Sequence, residues 1–144
     1  MTRDDRGHFA KKHPPGRKAD QKIIEAVKES ALEGTLSCTS AFNIVDELNT
    51  TPDDVGFTLD FLETRIEKCQ LGLYGYSAKK KIVKQVETVS PVLEGAIREA
   101  LVNERLPCAS AWEIAEKLGL KKMDVSSASE TLKLKISSCQ LGAF

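Results

Sequence analysis

The sequence predicts a mainly α protein with small β-hairpins, built as two tandem copies of a three-helix unit. Three observations carry that expectation. Sliding the 144-residue chain by seventy positions aligns 36–74 with 106–144 without a gap, and fourteen of the thirty-nine aligned positions are identical. Each aligned stretch carries apolar residues at helical spacing and then alternates toward its end. Both close on the tetrad Cys-Gln-Leu-Gly, at Cys69–Gly72 and Cys139–Gly142. The chain therefore divides into a basic arm (1–19), repeat 1 (20–76), a basic connector (77–89) and repeat 2 (90–144).

The first helix of repeat 1 starts after Asp20, a good cap, and carries Ile23, Ile24, Val27 and Ala31 on one face; Gly34 is placed to end it. In repeat 2, Ser90 caps, Pro91 takes the first turn, and Leu93, Ile97, Ala100 and Leu101 form the stripe. The second helix opens at "SAWE", where Ser110 and Glu113 have capping-box spacing; Ser40 and Asn43 stand in the same places of repeat 1. It runs to Leu48 or Leu118. A third helix begins near Thr51-Pro52 or Lys121-Lys122 and should bury Val55, Leu59 and Leu62, or Val125, Ala128 and Leu132. "LKLKISSC" then alternates, with Leu134 and Ile136 opposite Lys133 and Lys135, which reads as a strand; "RIEKC" is the weaker form in repeat 1.

The match at "IAEKLGLKKMDV" resembles the winged helix-turn-helix family, through Ile114 and Ala115, then Leu118-Gly119-Leu120, then Val125. Repeat 1 has "IVDELNTTPDDV", with Val45 for the alanine and Asn49 for the glycine, and Asn tolerates the left-handed turn. The resemblance implies tandem winged-helix-like units, with Leu36–Cys38 beside the strand that ends at Cys69. In this reading the leucine of each CQLG plugs the core and the glycine turns into a wing beginning at Leu73-Tyr74. Gln70 and Gln140 have no role in it. A unit of some fifty-five residues is marginal alone, so the copies are expected to pack together or to form a homodimer.

Charge is zero overall but segregated. The arm carries Arg3, Arg6, Lys11, Lys12, Arg17 and Lys18, and the connector carries Lys79, Lys80, Lys81 and Lys84. The family resemblance implies a groove-reading second helix of the motif, which should avoid negative charge. The third helix of repeat 1 carries Asp53, Asp54, Asp60 and Glu63, which would repel phosphate; it suits a protein partner instead. In repeat 2, Lys121, Lys122, Ser126, Ser127 and Lys133 are the candidate contacts to double-stranded DNA, with the arm and connector on phosphates. Two readings follow: a DNA-binding regulatory protein, or an interaction and dimerisation module that keeps the fold.

Chemistry finds less support. His8 and His13 are the only histidines, no nucleophile has a local base partner, and no phosphate-binding glycine loop is present, so neither an enzyme nor a cofactor is expected. Cys38, Cys69, Cys108 and Cys139 lack metal-knuckle spacing, standing 31 residues apart within each copy. Buried thiols are the expectation, with a redox switch or shared metal site as the alternative. No apolar run is long enough to span a membrane and the arm lacks a signal-peptide core, which points to the cytoplasm.

Overall fold

The computed structural model describes residues 13–14, 16–76 and 81–144. They are mainly helical, with six helices and four short strands: α1 (Gln21–Ser30), β1 (Thr35–Ser37), α2 (Cys38–Glu47), α3 (Pro52–Phe61), β2 (Arg65–Glu67), α4 (Pro91–Glu99), β3 (Leu106–Pro107), α5 (Cys108–Leu118), α6 (Lys122–Thr131) and β4 (Ile136–Ser137). Two compact units result, and their membership does not follow the sequence alignment. One takes the described residues up to Cys69 together with Gln140–Phe144; the other takes Gln70–Cys139. Gln70–Gly72 is thus grouped with α4, α5 and α6, and Gln140–Gly142 with α1, α2 and α3.

In the first unit, the Asp20 carboxylate accepts from the Lys22 amide at 2.8 Å and starts α1, which buries Ile23 and Val27. The helix ends at Ser30, before Gly34. That glycine sits instead in a tight turn closed by reciprocal hydrogen bonds between Leu32 and Thr35 (2.9 and 3.0 Å), where Glu33 and Gly34 both take positive φ. Helix α2 opens three residues earlier than the Ser40 cap implies: Ser37 is the cap, accepting from the Ser40 amide at 3.1 Å. Thr51 caps α3 through the Asp54 amide, and Pro52 fills the first turn as expected.

The second unit has the same order of elements. Ser90 caps α4 through the Leu93 amide. Helix α5 begins at Cys108 behind Pro107, so the Ser110–Glu113 capping box is not formed. Gly119 ends α5 in the left-handed conformation, and Asn49 takes φ 51 at the corresponding turn of the first unit, as the sequence suggests. The Asp124 carboxylate accepts from the Lys121 amide at 3.0 Å and secures the start of α6.

The strands depart from the expected hairpins. β1 pairs with β2, and β3 with β4, in parallel, with Leu36 opposite Ile66 and Leu106 opposite Ile136. Two helices separate the strands of each pair, so the chain returns in the same direction, whereas a hairpin needs a short reversal. Leu36 does lie beside the strand leading to Cys69. The alternation of "LKLKISSC" is realised only at Ile136–Ser137, because Lys133 adopts φ 58 and breaks the extended run; the longer strand is the one in repeat 1. Among the described residues no wing strand follows either CQLG. Leu71 and Leu141 are buried and Gly72 and Gly142 take positive φ, so the plug and turn roles hold.

The third helix is central in each unit. In α3 the run Val55 to Asp60 is buried without interruption, although only Val55 and Leu59 lie on the expected stripe; Leu62 is half-buried. Amphipathic patterning assumes one covered face. Here α1 and α2 cover one side of α3, and other segments of the same unit cover the rest.

Candidate functional site

What covers α3 is the end of the basic arm. His13 Nε2 lies 2.6 Å from an Asp60 carboxylate oxygen, and its ring stands edge-on to Phe57 with centroids 4.8 Å apart. Arg17 reaches Asp53 at 2.8 Å and Asp54 at 3.2 Å, with its guanidinium carbon 4.2 Å above the Phe57 ring. A buried carboxylate such as Asp60 needs polar partners, and an aromatic face accepts a cation, so these contacts form one connected patch. The expected phosphate contact Arg17 is therefore engaged on an acidic helix of its own chain. Lys18 is exposed. Arg3, Arg6, Lys11 and Lys12 lie outside the described residues, as do Lys79 and Lys80.

The connector does the corresponding thing on α6. Lys81 Nζ lies 2.7 Å from a Glu130 carboxylate oxygen, and the Gln85 side-chain amide donates to the Glu130 carbonyl at 3.3 Å. The Thr131 hydroxyl accepts from the Val86 amide and donates to the Val86 carbonyl, both at 2.8 Å, which ties the connector backbone to the end of the helix. Asp60 and Glu130 occupy corresponding places in the seventy-residue alignment. Each unit thus has a lead-in segment held by an acidic residue late in its third helix.

The groove-reading set in repeat 2 is dispersed. Ser126 is fully buried, in the core of its unit rather than on a contact face; this corrects its assignment as a DNA contact. It falls where Gly56 stands in repeat 1, off the helical stripe of Val125, Ala128 and Leu132 expected to face the core. Ser127 is half-buried, and its carbonyl accepts from Thr131 at 3.2 Å. Lys122 stacks over Trp112, with its ammonium 4.5 Å from the ring centroid. Lys84, Lys121 and Lys133 are exposed, and the ion pairs among the described residues do not include them. The hydroxyl of Ser126 is buried without a hydrogen-bond partner. An orphaned buried hydroxyl costs about 1–3 kcal/mol, so Ser126→Ala should hold or raise stability by up to ~1 kcal/mol, read from a denaturant midpoint.

The four cysteines are not joined in disulfides and stand in reciprocal places: Cys38 and Cys108 open α2 and α5, while Cys69 and Cys139 follow β2 and β4. Three are buried and Cys139 is half-buried, its sulfur 3.8 Å from the Tyr74 hydroxyl. Among the described residues no group of three or more metal-ligating side chains is assembled. A thiol reagent applied to the folded reduced chain should therefore label Cys139 first, and all four thiols only on unfolding. Rapid native labelling of Cys38 would contradict its burial.

Sequence reasoning singled out Asp60 only as part of an acidic helix, and it missed Phe57, His13, Val86 and Thr131. Phe57 lies off the core stripe and His13 sits in a segment read as arm. The one available signal was the acidic residue at positions 60 and 130 in otherwise divergent surroundings. No helix among the described residues is long and apolar enough to cross a membrane. Comparison with family models, with curated proteins and with solved structures finds no match.

Proposed function

We propose that the chain is a non-enzymatic protein-interaction module of tandem winged-helix-like repeats, whose acidic α3 face binds an extended basic peptide segment. The observation that supports this reading is the segment already seated there. His13 and Arg17 engage Asp60, Asp53, Asp54 and Phe57, combining ion pairing with aromatic contact. The Arg17 pairs to exposed carboxylates contribute about 0–1 kcal/mol each, its cation–π contact about 0.5–1 and the more buried His13–Asp60 hydrogen bond about 0.5–1.5, so the segment is held by only a few kcal/mol and is displaceable. A partner with histidine, arginine and lysine at similar spacing would compete for the same face.

The test uses the full chain carrying His13→Ala and Arg17→Ala, titrated with a labelled peptide of residues 8–19. It should bind about tenfold more tightly than to the wild-type chain, where the internal segment competes. Adding Asp60→Asn should remove the gain. No binding to either chain would overturn the reading.

A second reading keeps one observation in its favour: Lys84, Lys121 and Lys133 are exposed cations on repeat 2. If they contact phosphates, anisotropy of a random labelled duplex should rise on titration and weaken steeply with salt, with a smaller slope in the triple alanine variant. Salt-insensitive or absent binding would leave the peptide-binding reading alone.

A further inference from the structure

The exchange of the Gln-Leu-Gly segments points to a binding slot whose occupant need not come from the same chain. In the first unit, residues 140–144 lie with the helices of repeat 1, Leu141 is buried, and its backbone passes so close to α3 that a Cβ at Gly56 would collide with the Leu141 carbonyl. In the second unit Leu71 is fully buried. There the Gly72 carbonyl accepts from the Ile82 and Val83 amides at 2.7 and 3.3 Å, and a Cβ at Gly72 would press on Met123 and Ile82. Both slots take the same three letters, Gln-Leu-Gly, and each takes them from the aligned stretch seventy residues away. Nothing in such a slot distinguishes a segment of its own chain from the identical segment of another.

We propose that a second copy of this chain is a binding partner, joined by exchange: Gln140–Phe144 of one copy seats over Gly56 of the other. Within one chain the linkage gives the segment a high effective concentration, so the closed monomer dominates when both segment and slot are intact. When the internal segment is lost or its slot is blocked, the same contacts form between chains, as in other exchanges of identical elements between protomers. This surface lies beyond the peptide-binding reading and does not depend on it, because the slot is built on Gly56 and the peptide face on Phe57 and Asp60.

Complementation between two deficient chains tests it. The donor is Gly56→Ala, whose own slot is closed and whose segment is released. The acceptor is the chain shortened to residues 1–139, whose slot is open. Each is first shown to melt cooperatively; the wild-type chain, whose segment is intact, replaces a donor that does not fold, and Leu141→Ala replaces an acceptor that does not fold. At about millimolar concentration, where association matches the effective concentration of a short tether, the mixture should contain a 1:1 complex of twice the monomer mass by light scattering, absent from either chain alone. A donor that also carries Leu141→Ala should bind about tenfold or more weakly, the loss expected for truncating a buried leucine. Folded donor and acceptor that remain monomeric on mixing would overturn the proposal, and so would a complex indifferent to Leu141.

Discussion

Gly56→Ala should lower the melting temperature by roughly 5–10 °C, the outcome of about 1–3 kcal/mol lost to overpacking in a chain of this size. In an ordinary helix interior the same change stabilises by about 0.5–1 kcal/mol, because alanine loses less backbone freedom. The sign reverses here because the new methyl group meets the main chain of Leu141 rather than a flexible side-chain tip. The loss also has a ceiling. If accommodating the methyl group costs more than keeping residues 140–144 in place, the segment leaves, and the penalty becomes the exposure of Leu141, about 1.5–3 kcal/mol. Thermal melting of wild type and variant checks the sign, and faster amide exchange at 140–144 in the variant would show that release is the route taken. A neutral or stabilising substitution would mean that α3 and the segment separate freely, as Ser126 shows for the corresponding place in the second unit, where a side chain is accommodated with Leu71 still buried.

The architecture was legible where local chemistry decides it. Asp20, Ser90, Thr51 and Pro52 start their helices as their residue types dictate, and Asn49 and Gly119 take the left-handed turn between the second and third helices of their units. The paired leucines and glycines of the CQLG segments also do what their burial and turn chemistry imply. Legibility ended where position depends on distant chain. Parallel pairing of Leu36 with Ile66 follows from the path of two intervening helices, which alternation cannot report. Burial of Phe57 and Asp60 follows from a segment more than forty residues earlier settling on α3, and burial of Ser126 from the crowding of α6 within its unit. The basic arm is the clearest case: the sequence reads Arg17 as a phosphate contact, and its observed partners are two of the acidic residues expected to repel phosphate.

The exchanged segments make a prediction that the aligned sequence would place in the wrong half of the chain. Leu71→Ala and Leu141→Ala each remove most of a buried side chain, and each should cost about 2–5 kcal/mol. By sequence, Leu71 belongs to repeat 1 and Leu141 to repeat 2. By grouping, Leu71 supports the unit holding α4, α5 and α6, while Leu141 supports the one holding α1, α2 and α3. Local opening takes place in cooperative units, so amide exchange separates the two assignments. Leu141→Ala should accelerate exchange across α3, and Leu71→Ala across α6, with the other unit changing far less. The contrast also guards against a trivial explanation, because two leucines of equal size in matching tetrads would otherwise be expected to weaken their own repeats. Exchange rising in the repeat that contains each leucine would show that the segments seat at home, and Gly56 would then lose its reason to be glycine.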